Sequence, residues 1–109
     1  MCNQYNGYAN YPTWNVSLWI DNDQGMYAEV LERACSILEY ATPSEYSTRV
    51  QVANYELQEY LKELITDEHN PLAEDCSMYS DILGWALDCV NWYELAENWL
   101  ETAQEELGE

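Results

Sequence analysis

Basic side chains are nearly missing. Three Lys and Arg stand against 21 Asp and Glu, and with its single His neutral the 109-residue chain carries a formal charge of -18. Phosphate binding needs clustered Lys and Arg. Arg33, Arg49 and Lys62 are all that is present, so direct nucleic-acid binding is excluded. Anionic membrane surfaces are excluded by the same repulsion. No apolar run approaches the length of a membrane span. Met1-Cys2-Asn3-Gln4-Tyr5 has neither the basic nor the apolar region of a signal peptide, so a cytoplasmic compartment is expected. None of Cys2, Cys35, Cys76 and Cys89 forms a C-x-x-C pair, and His69 is near no Cys. Zinc is therefore not expected. The four Cys could make two disulfides, but without an export signal they read as reduced and mostly buried. G-x-S-x-G, a glycine-rich phosphate loop and H-E-x-x-H are all missing. Carboxylate pairs are too common here to be diagnostic of hydrolysis. No cofactor, no metal and no enzyme activity are expected.

Apolar bulk is plentiful. Hydrophobic residues make up 48% and aromatics 14%, with five Trp and ten Tyr. A disordered acidic tail lacks such bulk, so the chain should fold. Its length suits one domain over 1–109. Charge is uneven. Residues 1–20 carry none, 21–70 carry a net -8 and 71–109 a net -10 with no base, which together make the -18. Acids and apolar residues interleave throughout, so no separate acidic tail, linker or repeat is present.

The periodicity is helical. Strand alternation is weak, and Asn6-Gly7 lacks the apolar flanks of a hairpin turn. Thr13 can cap a helix over about 14–21, with Pro12 just outside it. A second helix is expected over about 26–41, with Met26, Val30, Ala34, Ile37, Leu38 and Ala41 as its buried stripe. Thr42-Pro43-Ser44 ends it and restarts the chain. A third spans about 45–67, with Val50, Ala53, Leu57, Leu61 and Leu64 inward. A fourth covers about 72–89, weakened by Gly84 and anchored by Met78, Ile82, Trp85 and either Leu87 or Cys89. The last has the clearest start. Asn91 is its N-cap, Glu94 sits at the capping-box position, and Val90 and Leu95 form a hydrophobic staple. Trp92, Leu95, Ala96, Trp99, Ala103 and Leu107 make its stripe, and Gly108 stops it. The expected fold is all-α: a compact bundle of about five helices with an irregular, aromatic-rich N-terminal segment.

Two acidic rows match. Glu56, Glu59, Glu63 and Asp67 lie on the third helix, and Glu94, Glu97, Glu101 and Glu105 on the last. Both follow the steps +3, +4, +4, which keeps each on one helix face. Four positions advance roughly 6 Å along a helix axis. Phosphates advance about 3.4 Å per nucleotide along a duplex axis while winding around it. A rigid carboxylate row can approximate that backbone. Any amphipathic helix has a solvated face, and halophilic adaptation also yields acid-rich, Lys-poor chains. What favours the sharper reading is the missing Lys at i+4, which would ordinarily stabilise such a helix. Self-repulsion destabilises the compact state.

Weaker candidates have blander readings. Asp21, Asp23 and Glu32 fit three positions of a calcium loop, but Met26 occupies the sixth, where the turn needs Gly. Helix capping by Asp23 is the simpler account. Asp67, Glu68 and His69 lie in a loop where an exposed His without a chemical role is expected. Cys35, Cys76 and Cys89 read as core positions rather than nucleophiles. Tyr5, Tyr8, Tyr11, Trp14 and Trp19 read as an arm pinned over the helices by its rings; the alternative is a contact surface.

Tyr11-Pro12-Thr13-Trp14-Asn15-Val16-Ser17-Leu18-Trp19-Ile20-Asp21-Asn22-Asp23 resembles the opening of a family of small phage and bacterial proteins with a Tyr-x-Thr-Trp-Asn-Val-x-Leu-Trp-Ile-x-Asn motif. Val90-Asn91-Trp92-Tyr93-Glu94-Leu95-Ala96-Glu97-Asn98-Trp99-Leu100 resembles its C-terminal helix. The resemblance implies a phage or mobile-element context and structural roles for the motif residues. It supplies no mechanism, the family being uncharacterised. In composition, not in motif, the chain is similar to antirestriction and anti-CRISPR DNA mimics. The expectation is an inhibitor whose carboxylates occupy the basic DNA-binding surface of a host defence protein. The alternative is a small acidic regulatory module that docks on a basic protein surface without mimicry. A homodimer would suit a mimic of a long duplex, although no heptad seam marks one.

Overall fold

Each helix begins where the sequence supplies an oxygen to cap it. The computed structural model describes residues 5–108. It contains α1 (Tyr11–Asn22), α2 (Gln24–Tyr40), α3 (Arg49–Glu63), α4 (Met78–Asp88) and α5 (Trp92–Leu107), with one π turn, Leu64–Glu68, continuing α3. The caps are Asn10, Asp23, Thr48, Ser77 and Asn91. Each accepts a hydrogen bond from a backbone N–H of the first turn, which would otherwise lack a partner. Among the described residues there is no strand, only a bridge between Tyr5 and Tyr8. The fold is an all-α bundle.

α5 lies at the centre. Leu95, Ala96, Trp99, Leu100 and Ala103 are buried on it, facing Val30, Ala34 and Leu38 of α2 and Ala53, Leu57 and Leu61 of α3. α2 and α3 run antiparallel: Arg49 Nε donates to the Leu38 carbonyl, while Arg33 lies over the Tyr60 ring. Ile20 closes the core from α1. Each fully buried Leu contributes roughly 1.5–3 kcal/mol against exposure, and this offsets the repulsion of the charged faces.

Several expected boundaries move. α1 is capped by Asn10 rather than Thr13, and Pro12 falls inside the first turn. A proline fits there because its missing N–H is one that the helix leaves unbonded. The Thr13 side chain is buried and joins the caps of two helices instead. α3 starts at Thr48, whose hydroxyl forms a capping box with Gln51, and Val50 points outward. The largest departure is α4. It starts at Met78, not near 72, and Met78, Ile82 and Trp85 face solvent. Leu83 and Leu87 are the half-buried ones. Leu107, at the end of the α5 stripe, is also exposed.

The N-terminal segment is pinned. Asn6 and Gly7 adopt positive φ values of 48° and 86°, making the tight turn between Tyr5 and Tyr8 that the missing apolar flanks argued against. The Tyr5 ring packs at 4.9 Å from Trp14 and 5.1 Å from Tyr11. Tyr8 and Ser17 share a hydrogen bond of 2.9 Å. Cys2 lies outside the described residues. Cys35 is half-buried, but Cys76 is exposed rather than core, in the connection before α4.

Candidate acidic interface

The acidic row on α5 sits over the buried stripe of the same helix. Glu97, Glu101 and Glu105 are exposed. Glu94 differs. It is half-buried, and its Oε1 accepts the Ala9 N–H at 2.9 Å. The expected capping box is therefore half made. Asn91 Oδ1 accepts from Glu94 N–H, but Asn91 N–H donates to Thr13 Oγ1 rather than to Glu94. Glu94 fastens the N-terminal arm and leaves three carboxylates on the outer stripe.

On α3, Glu56, Glu59 and Glu63 are exposed. Asp67 is exposed too, but it falls within the π turn, where His69 N–H reaches the Leu64 carbonyl at 2.9 Å. A turn closed by i→i+5 bonds advances each residue through a smaller angle than an α turn. The π turn thus changes the angle at which Asp67 follows Glu63. Glu56 and Glu63 stand at i-4 and i+3 from Tyr60, on the same helix face. That face meets α2, where Tyr60 packs against Arg33 and interacts with Glu29.

The two rows do not share a groove. The hollow between α3 and α5, about 340 Å³, is lined by Asn54, Tyr55, Gln58, Tyr93, Glu97 and Glu101 among others, with none of the α3 row. Glu101 also borders the cleft on the far side of α5, beside Tyr8, Ser17, Asp21, Tyr27 and Thr102. It stands on a ridge between two depressions. Glu29 and Glu32 of α2 border a third, with Arg33 and Tyr60. Sequence reasoning did not foresee that these two acids would lie with Tyr60 of α3. Their spacing of three on the polar face of α2 was visible, but not which helix that face would meet.

The profile of one protein family matches residues 1–106. The chain belongs to DUF7249, a family of unknown function. No curated protein and no solved structure matches it. The DUF7249 match spans α1 to nearly the end of α5, so all eight acids of the two rows lie within it.

The electrostatics of the DUF7249 fold follow from scarce cations. Among the described residues, none of the eight row carboxylates forms a salt bridge with Lys or Arg. Arg33 is placed with its guanidinium carbon 5.2 Å from the Tyr60 ring centroid. His69 Nε2 lies 3.7 Å from Glu29 Oε1, both side chains being exposed. Burial, together with Glu29 and Glu68, pushes the Tyr60 hydroxyl up to about 12, Arg33 opposing the shift. Burial raises the Asp21 carboxyl as well, against a hydrogen bond from Ser17. Asp23 caps α2 by accepting from Met26 N–H at 3.1 Å. No group of three or more His, Cys, Asp or Glu is close enough to hold a metal ion among the described residues. No helix there is long and apolar enough to cross a membrane. Chemically, the arrangement presents negative charge to solvent.

Proposed function

We propose that the chain is an anti-defence inhibitor of a phage or mobile element, of the anti-CRISPR or antirestriction kind. It imitates duplex DNA and blocks the basic nucleic-acid-binding surface of a host defence protein. The observation that carries this reading is the α5 stripe: Glu97, Glu101 and Glu105 stand exposed, with no salt bridge to Lys or Arg among the described residues, on a helix anchored by Trp99 and Leu100. A helix held by its core keeps like charges at fixed spacing, and such fields steer encounter with basic surfaces. Glu56, Glu59 and Glu63 supply a second exposed stripe on α3. The separation of the two stripes favours one alternative, a small acidic module that docks on a basic protein surface without mimicry.

The test is a tagged pull-down from host lysate at low salt, eluted by rising salt, with and without competing duplex DNA. The expected result is a DNA-binding nuclease that duplex displaces, with binding that weakens as salt screens the contact. Glu97→Gln, Glu101→Gln and Glu105→Gln should lower inhibition of that nuclease cumulatively. A partner indifferent to both DNA and these substitutions sinks the mimicry reading and leaves the docking module.

A further inference from the structure

α4 presents its apolar side to solvent. Met78, Tyr79, Ile82 and Trp85 are 63%, 68%, 59% and 66% exposed. Of the described helices, α4 alone contains no buried residue. It is nevertheless well built. Ser77 caps it reciprocally with Ser80, and Asn70 braces the approach by bonding the Thr66 carbonyl and the Leu72 N–H. The face is therefore a formed helical surface. It continues past Leu83 into an apolar groove of about 250 Å³ that Leu83 and Leu87 share with Val16, Met26 and Ile65, and at whose edge Trp19 is 68% exposed. A buried aromatic ring carries roughly 150–250 Å² of surface. Tyr79 and Trp85 alone thus expose on the order of 200–330 Å². With Met78, Ile82 and Trp19 the patch reaches the size that marks interaction sites on soluble proteins.

We propose that this face seats an amphipathic helix of a partner protein whose apolar stripe is flanked by Lys or Arg. The charge around the patch selects that occupant. Asp81 and Asp88 line one flank of α4, and Asp75 precedes it. No Lys or Arg occurs in 71–109 or in α1. Lys62 reaches the hollow on the polar side of α4, where Asp75, Asp81 and Asp88 outnumber it. A second copy would set acid against acid around the same apolar centre. A basic-flanked helix would bury Trp85 and Ile82 while pairing the rim, the helix-in-groove mode of recognition. This site does not depend on the mimicry reading, because it uses none of the acids in the two rows.

The probe is a Leu/Lys peptide of about 18 residues, some five helical turns, with its Leu on one face. Its comparison is a scrambled peptide of the same composition and charge. The wild-type chain should bind the amphipathic peptide about tenfold or more tightly than the scrambled one. Ile82→Ser and Trp85→Ser, both at exposed positions, should erase that preference without changing the melting temperature. In the unsubstituted protein, the indole N–H resonances of Trp85 and Trp19 should shift on binding, and that of the buried Trp99 should not. Equal binding of the two peptides would mean that charge alone attracts them, and overturns the proposal. So does a dimer at high salt that Trp85→Ser dissolves, because a second copy is then the occupant. Glu97→Gln, Glu101→Gln and Glu105→Gln should leave the preference intact, whatever becomes of the mimicry reading.

Discussion

Replacing Thr13 with Val removes one oxygen and almost no volume, and it should disturb the caps of both α1 and α5. Thr13 is fully buried. Its hydroxyl donates to Asn10 Oδ1 at 2.7 Å and accepts the Asn91 N–H at 2.8 Å. In Thr13→Val the Asn91 N–H loses its acceptor inside the protein, which costs about 1–3 kcal/mol. Asn10 Oδ1 keeps the Thr13 backbone N–H at 3.0 Å, so the loss there is nearer about 1 kcal/mol. The total is about 2–4 kcal/mol. For a domain near one hundred residues, each kcal/mol moves the melting temperature by roughly 4 °C. The expected fall is thus about 8–16 °C, followed by helical circular dichroism on heating and by a urea midpoint. Thr13→Ser is the control. It keeps the oxygen, loses one methyl worth about 0.8 kcal/mol, and should melt well above Thr13→Val. If Val is tolerated within about 0.5 kcal/mol, or Ser costs more than Val, the hydroxyl does not hold these caps together.

Two further outcomes follow from the charged faces. Glu97→Gln, Glu101→Gln and Glu105→Gln together remove two like-charge i,i+4 pairs, so the unfolding free energy measured in urea should rise at low salt by up to about 1 kcal/mol; the gain should fade near 1 M salt, where the Debye length is about 3 Å, and a loss of stability would contradict unrelieved repulsion. Tyr60 is raised from the ordinary 10.0 to about 12, so the folded state holds that proton more tightly than the unfolded one. The stabilisation is complete below pH 10 and is lost as pH rises through 12. Tyr60→Phe should therefore lose less stability than the wild type across that window, by on the order of 1 kcal/mol after allowing for solvent screening; parallel pH curves for the two proteins would refute the assignment.

What could be read from the sequence was local. The start and stop of α5 were legible because Asn91, Glu94, Leu95 and Gly108 act within a turn or two of one another. Each acidic row was legible within its own helix for the same reason. α4 was misread because the spacing of Met78, Ile82 and Trp85 satisfies a buried stripe as well as an exposed one; only the fit of Leu83 and Leu87 into the α1 groove decides which side turns in. Asn10 and Thr13 are both good caps three residues apart, and the choice was made by Asn91, far away in sequence. How the rows sit relative to one another depends on helix packing, set by contacts such as Arg33 on Tyr60. Neither row contains a trace of that contact.

The hydrogen bonds that fasten α1 to α5 also set a schedule for the nascent chain. Asn91 to Thr13, Asn10 to Cys89 and Ala9 to Glu94 join residues 78, 79 and 85 positions apart. At about 5–20 residues per second of synthesis, α1 waits roughly 4–16 s for its partners. During that interval Ile20 and the Thr13 hydroxyl have no α5 to close over them. α1 is thus among the last of these helices to be completed.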